Sequence, residues 1–366
     1  MRILLVIACF LTLALAPAAA QQTQLAIHGL SHGHVGWVKQ WTEWEDIELV
    51  GIVETDTALA RRTLHYLGFP EDRWYPSLAA LVAAQEVDAV AAFGSTLEHL
   101  ETVAFCAPRG IHVMVEKPLA TDWASAKKMW DLAVTHGIHL LTNYETSWMP
   151  GVRETVRVAR ADSLGTVRRM VFRTGHMGPA LLGLSQEFLD WLLDPVRNGG
   201  GALMDFGCYG ANLATWILDG EEPISVTCLT EHLQPDVYRE VEDAATILLT
   251  YPSTQVIIQA SWNWPHHVKD MDVYGSMGYA LNFQRDSLVL RTPHPGGDWE
   301  RELAGPGIPS PYASPFVLFG AVVRGEVVLP PVDAYALENN LLVMRILEAA
   351  KESARTGKTI LLREVR

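Results

Sequence analysis

Cysteine is scarce in this chain and basic residues are outnumbered, and each shortage closes off a class of protein. Four cysteines occur in 366 residues. Cys9 lies in an N-terminal apolar run, while Cys106, Cys208 and Cys228 stand singly, so neither a disulfide framework nor a paired-cysteine metal site is available. Lysine and arginine total 28 against 42 acids, a net charge of −14 with no basic run. That excludes a nucleic-acid surface. Long apolar runs are missing after residue 20, so no membrane span is expected there. Internal repeats are missing too. What is present is ordinary globular composition, 49% hydrophobic and 19% charged. The length exceeds the ~250–300 residues at which one core stops growing, which predicts two domains.

The N-terminus differs from the rest. Arg2 precedes an apolar run from Ile3 to Leu15 and then Ala16-Pro17-Ala18-Ala19-Ala20. A charged residue, a short apolar core and an Ala-x-Ala end are the marks of a secretory signal peptide over residues 1–20, cleaved after Ala20. The protein is therefore expected to be exported, periplasmic or secreted. A lipoprotein signal ending at Cys9 is the weaker reading, because it would leave an apolar tail on the mature chain. There is no twin arginine.

Residues 25–28 form a short apolar run that enters Gly29-Leu30-Ser31-His32-Gly33-His34, and Trp37 to Trp41 follows at helical spacing. Strand, glycine-rich turn and helix is the setting of a dinucleotide-binding loop, whose glycines permit a tight turn and close approach to pyrophosphate. Laid on G-x-G-x-x-G, the three positions hold Gly29, Ser31 and His34, with Gly33 close by. These four are the candidate phosphate loop, and the histidines read equally well as packing residues. The next apolar run ends at Glu54, 25 residues after Gly29, near the spacing at which an acid bonds the adenosine ribose. An acid there favours NAD over NADP, since it would repel a 2′-phosphate; Arg61 and Arg62 weaken the preference.

Apolar strands at 87–93, 111–115 and 139–142 alternate with helices at 57–67, 77–82, 97–106 and 122–135. That alternation predicts a doubly wound parallel sheet, a Rossmann domain over 24–142. Val113-Met114-Val115 runs into Glu116-Lys117-Pro118. Proline cannot continue a ladder, so Lys117 falls at the carboxyl end of a buried strand, where open α/β sheets bind ligands. The bland alternative is a solvated lysine at a strand–helix turn.

After Asn143 the rhythm changes. Helices are expected at 152–159 and 188–193, with a strand at 167–174 between them. Gly199-Gly200-Gly201 then precedes Asp205, Gly207 and Tyr209 in a helical run to Leu218. Strand candidates at 224–230, 245–251, 255–262, 271–274 and 287–291 follow without helices between them, and a helix at 332–354 closes the chain. Consecutive strands imply an open, mostly antiparallel sheet in an α+β domain over 143–366. His176 follows a strand and could reach a sugar hydroxyl. Trp148, Trp191 and Trp264 suit stacking on a sugar face, although large aromatics more often fill cores. The side chains of His266 and His267 diverge if extended, and no metal site is assigned.

Taken together, Glu116-Lys117-Pro118, Thr96 with His99, and Gly199-Gly200-Gly201 followed by Asp205-x-Gly207-x-Tyr209 resemble the glucose–fructose oxidoreductase, inositol dehydrogenase and related (Gfo/Idh/MocA) family over nearly the whole mature chain. The resemblance implies hydride transfer between a sugar-like carbinol carbon and NAD or, less readily, NADP, in a crevice between the two domains. It also implies roles. Lys117 would hold or polarise the reacting oxygen, Asp205 would position substrate and lysine, and Tyr209 would donate or accept the proton, its phenolate favoured by Lys117. Thr96, His99 and Glu116 would join Gly29, Ser31, Gly33, His34, Glu54 and Lys117 around the cofactor. Lys117, Trp148, His176, Asp205 and Tyr209 would face the substrate. Asn212 stands one turn after Tyr209, where the family often has an acid. Some relatives are NAD-dependent glycosidases that recycle their NAD, and a non-catalytic sugar-binding protein of this fold is a third reading, motivated by Ser31 and His34. The open sheet face is a dimer surface in many members.

Overall fold

The computed structural model describes residues 22–365 apart from 294, 295, 297 and 298, so the expected signal peptide lies outside the described residues. The N-terminal half alternates strand and helix: β1 (Thr23–His28), β2 (Ile47–Val53), α1 (Thr57–Leu67), β3 (Trp74–Tyr75), α2 (Leu78–Ala84), β4 (Ala89–Ala92), α3 (Glu98–Cys106), β5 (His112–Glu116), α4 (Trp123–His136) and β6 (Leu140–Asn143). The six strands pair in parallel in the order β3-β2-β1-β4-β5-β6. Strand order reverses at β1 and β4, and the crevice beyond their carboxyl ends is where such sheets take ligands. Local signals set the helices. Asp56 accepts from the amides of Ala58 and Leu59 at the start of α1, which ends at Gly68 in the left-handed conformation. Asp122 and Gly137 bound α4 in the same way.

The second half continues with α5 (Pro150–Arg160), β7 (Val167–Gly175), α6 (Gln186–Leu192), α7 (Ala202–Ile217), β8 (Ser225–Glu231), β9 (Ala244–Thr250), β10 (Gln255–Ser261), β11 (Val268–Gly275), β12 (Tyr279–Gln284), β13 (Ser287–Thr292) and β14 (Trp299–Ala304). Helices α8 (Pro315–Val323) and α9 (Leu337–Thr356) and the short β15 (Ile360–Leu361) complete it. Nine strands form one sheet, β14-β13-β12-β11-β7-β10-β9-β8-β15, antiparallel except for the β7–β10 pair. Helix α7 is buried along its whole length, and Gly210 brings its backbone against Ile258 of β10. No helix among the described residues is long and apolar enough to cross a membrane.

The structure departs from the sequence reading in a few places. The segment after the glycine loop is a 3-10 helix, Gly33–Glu43, not an α-helix. The last glycine of a dinucleotide fingerprint permits close helix–strand packing; here His34 stands in its place. The stretch containing Trp74 adds a two-residue edge strand to β2. Strand β14 reads Trp-Glu-Arg-Glu-Leu-Ala and is almost wholly exposed, a charged sheet edge whose pattern carries no buried face. Helix α8, also unexpected, returns to the first domain: Phe316 and Phe319 join the core formed by Leu25, Ile27, Trp44 and Phe93.

Candidate active site at the end of β5

Strand β5 is buried and stops at Glu116, which places Lys117 at its carboxyl end with only 6% of its surface exposed. Its ammonium donates to Asp205 Oδ1 at 2.5 Å and to the Asp205 carbonyl at 3.1 Å. The three glycines bring the partner there. Gly199 has φ +84, and a Cβ on it would lie 2.3 Å from the Thr121 carbonyl oxygen, so only glycine lets this loop press against the turn that follows Lys117. One turn into α7, Asp205 then meets the lysine. Its second oxygen accepts from Trp262 Nε1 at 2.9 Å.

Burial opposes both charges of this pair, and each partner overrides it. Asp205 holds the Lys117 pKa above its ordinary value, and Lys117 holds the Asp205 carboxyl below its own. The pair is thus ionised across the neutral range. Tyr209 is buried, with the Lys117 ammonium 5.3 Å and the Lys269 ammonium 4.8 Å from its ring centre. Lys269 itself is paired with Glu145. Lys117, the cation expected to favour a Tyr209 phenolate, bonds Asp205 and stands over the Tyr209 ring. Burial first, then the Glu145 carboxylate, push the phenol well above its usual range. Lys117 addresses Asp205 and sees only the ring. The phenol therefore holds its proton more firmly than a free tyrosine. Asn212, one turn on, is a structural residue: its amide donates to the Ala334 carbonyl at 2.9 Å and so ties α7 to the segment before α9.

Beside β1 and β2 lies a cleft of about 530 Å³, lined by Gly29, Ser31, Glu54, Leu78 and Glu98 among others. Gly29 has φ +78, and a Cβ there would lie 2.6 Å from the Gly94 amide, so glycine is required by the approach of the β1 and β4 loops. Glu54 accepts from the amides of Leu30 and Asp56 at 3.0 and 2.9 Å, which braces the loop while its carboxylate still edges the cleft. A chamber of this size with a strand-end acid fits the adenosine half of a dinucleotide. The loop amide of His34 is already engaged by the His32 ring at 3.1 Å. Gly33 lies against the Phe188 ring, which a Cβ would meet at 3.7 Å.

The remaining candidates take up positioning roles. His34 stacks on Trp37 at 3.8 Å and its Nδ1 lies 2.9 Å from Glu116 Oε2. Asn143 donates to the other Glu116 oxygen at 2.8 Å. Thr96 donates to Asn198, whose amide in turn donates to the Gly200 carbonyl, a clasp between the two domains. His99 Nδ1 bonds the Leu119 carbonyl at 3.2 Å beneath the Lys117–Pro118 turn. His176 Nδ1 accepts from the Gly178 amide, which leaves its proton on Nε2, and its ring packs on Phe206. Trp148 meets Trp37 edge-on at 4.9 Å and lies under the Arg285 guanidinium. Trp191 is buried against His32 and Phe188. Sequence reasoning missed Glu145, Lys269 and Trp262 because they come from distant strands and loops with no motif around them.

Burial pushes His99 and His176 each down to about 4. An unfolded histidine titrates near ~6.5, so between pH 6.5 and 4 the unfolded chain binds protons that the folded one refuses, and stability falls as pH falls through that window. Each group removes roughly 3 kcal/mol by about pH 4. Urea midpoints measured from neutral to mildly acidic pH should drop steeply; a flat midpoint would contradict the buried neutral assignment.

A parallel sheet of this strand order, with a strand-end lysine met by an acid and a tyrosine from a second domain, defines the two-domain architecture of dinucleotide-dependent oxidoreductases. The chain belongs to the Gfo/Idh/MocA family: residues 24–144 match the model of the oxidoreductase family, NAD-binding Rossmann fold, and residues 152–281 match the GFO/IDH/MocA C-terminal domain. It is similar to trans-1,2-dihydrobenzene-1,2-diol dehydrogenase of Xenopus laevis, 25% identical over 182 residues, 50% of this chain and 52% of that one. The chain thus spans about half the length of that relative. D-xylose 1-dehydrogenase (NADP(+)) 2 of Haloferax volcanii is 27% identical over 325 residues, 86% of this chain and 91% of that one. In fold the chain resembles the aldose-aldose oxidoreductase from Caulobacter crescentus complexed with glycerol, with TM-score 0.77 at 24% identity over 93% of this chain and 100% of that one.

Proposed function

We propose that this protein is an exported oxidoreductase that moves a hydride between a carbinol carbon of a sugar or polyol and a nicotinamide dinucleotide, with NAD preferred over NADP. The observation that carries the reading is the buried Lys117–Asp205 pair beside the buried Tyr209 phenol at the carboxyl end of β5, on a sheet whose cleft fits the adenosine half of a dinucleotide. When bound, the dinucleotide supplies the hydride acceptor or donor. The chain supplies the rest. The Lys117 ammonium stabilises charge that develops on the reacting oxygen. Asp205 keeps that ammonium charged and fixed in place, and Tyr209 holds a proton for transfer. Similar proteins named for xylose and apiose support a carbohydrate substrate. Residues 1–20 support export.

The preference for NAD follows from charge. Glu54, Asp56, Glu98, Glu101, Glu187 and Asp190 line the cleft with Arg197, and Arg62 neutralises Glu187, which leaves an excess of acid. A 2′-phosphate would add about −2 charge to that acidic wall. Calorimetry should give NAD an affinity about tenfold or more above NADP, equivalent to ~1.4 kcal/mol, with the gap narrowed in Glu54→Gln. Tighter binding of NADP would overturn the preference, and binding of neither would overturn the function.

A further inference from the structure

The two histidines of the loop after β1 are arranged in a way that pyrophosphate binding does not require. His32 is buried, its ring 4.5 Å from that of His34 and packed on Phe188 and Trp191. His34 turns its Nδ1 toward Glu116, itself buried and held from its other side by Asn143. One ligand-type atom from each of His32, His34 and Glu116 lies within 4.8 Å of the other two. Asn143 Oδ1 next to them is buried without a hydrogen-bond partner.

We propose that His32, His34 and Glu116 form a binding site for a divalent transition metal of the zinc class, beside Lys117. Two imidazoles and a carboxylate are a donor set that such ions take, and three protein ligands leave positions open for water or a substrate oxygen. Two atoms bonded to one tetrahedral ion at about 2.1 Å stand about 3.4 Å apart, and His34 Nδ1 and Glu116 Oε2 are already 2.9 Å apart. Closing the set around a tetrahedral ion asks for a movement of up to about 1.4 Å, since its ligand atoms stand ~3.4 Å apart. The surroundings support it. Asn143 orients the carboxylate as an outer partner, and Trp37, Phe188 and Trp191 wall the cluster with apolar surface. Asp205 pairs with the neighbouring Lys117 and so weakens, without removing, the repulsion its ammonium exerts on a cation at the histidines. Loading replaces the His34–Glu116 hydrogen bond: His34 exchanges its Nδ1 proton for one on Nε2 through solvent, so the ring stays a neutral imidazole as Nδ1 takes the ion. The expectation of no metal rested on cysteine spacing and on His266-His267; the H-x-H of the loop carried the signal, and its third member arrives 82 residues later.

The test is cobalt(II) titration of chelator-treated full-length protein, followed by visible absorbance and then by zinc displacement, with NAD calorimetry run in parallel. One equivalent should bind with visible ligand-field bands and be displaced by zinc. His34→Gln and Glu116→Gln should each weaken uptake by about 100-fold or more, with His32→Asn serving where one of those does not fold. No uptake by the unaltered protein at millimolar cobalt overturns the proposal, as does uptake that the folded variants leave unchanged. NAD binding is read separately, so metal uptake without NAD binding supports this site while refuting the dehydrogenase reading.

Discussion

Lys117→Met is expected to lower kcat/KM for sugar turnover by about 10²–10³-fold, the usual cost of removing a donor that faces developing negative charge in a water-poor site. The same change should also destabilise the fold. It strands the Asp205 carboxylate, 5% exposed, with Trp262 as its remaining side-chain donor. Breaking one side of a buried pair costs about 3–5 kcal/mol. The two effects separate in a second variant. Lys117→Met combined with Asp205→Leu removes both charges, and replacing a whole buried pair by apolar groups is often neutral or stabilising. Denaturation should therefore show most of the lost stability restored in the double variant, while kcat/KM stays at the level of Lys117→Met. Recovery of activity along with stability would show that Lys117 acts only as a structural ion-pair partner.

The direction of proton flow gives the second large effect. Both groups beside the reacting oxygen carry protons at neutral pH: Lys117 because Asp205 outweighs burial, and Tyr209 because burial and Glu145 act together. A carbonyl entering the crevice meets two donors, so reduction should run at a nearly constant rate from about pH 6 to pH 9. Oxidation of a carbinol needs a base, and either candidate must first lose its proton. With both pKa values raised, the active fraction grows about tenfold per pH unit through that range. Rate profiles in both directions test this. A bell centred near neutrality for oxidation would point to a different base. Tyr209→Phe should lower the reduction rate by about 10²-fold or more while leaving the fold intact, since the ring packing on Phe206 and Tyr144 remains.

Much of the frame was legible in sequence because it depends on local signals. Asp56 and Asp122 cap helices, apolar runs mark buried strands, and Pro118 ends β5, so the parallel sheet and the place of Lys117 follow from short windows. Asp205 was legible for a different reason: Gly199-Gly200-Gly201 followed by Asp205-x-Gly207-x-Tyr209 carries the family resemblance, and the structure shows Gly199 pressed against Thr121 on the way to it. What stayed hidden depends on long-range partners. Nothing near Tyr209 in the sequence announces that Glu145 and Lys269 converge on it, or that the phenol is buried. The glycine loop likewise kept its strand–turn setting, while the segment after it is a 3-10 helix and His34, in the third glycine's place, bonds Glu116.

The most direct measurement of the account is NADH formation by the purified protein with NAD and a panel of aldoses and polyols, run side by side with Lys117→Met. The account predicts that at least one carbohydrate reduces NAD and that the variant loses the activity by about 10²-fold or more while still binding NAD. NAD bound but reduced by no carbohydrate, or turnover equal in the two proteins, would contradict it.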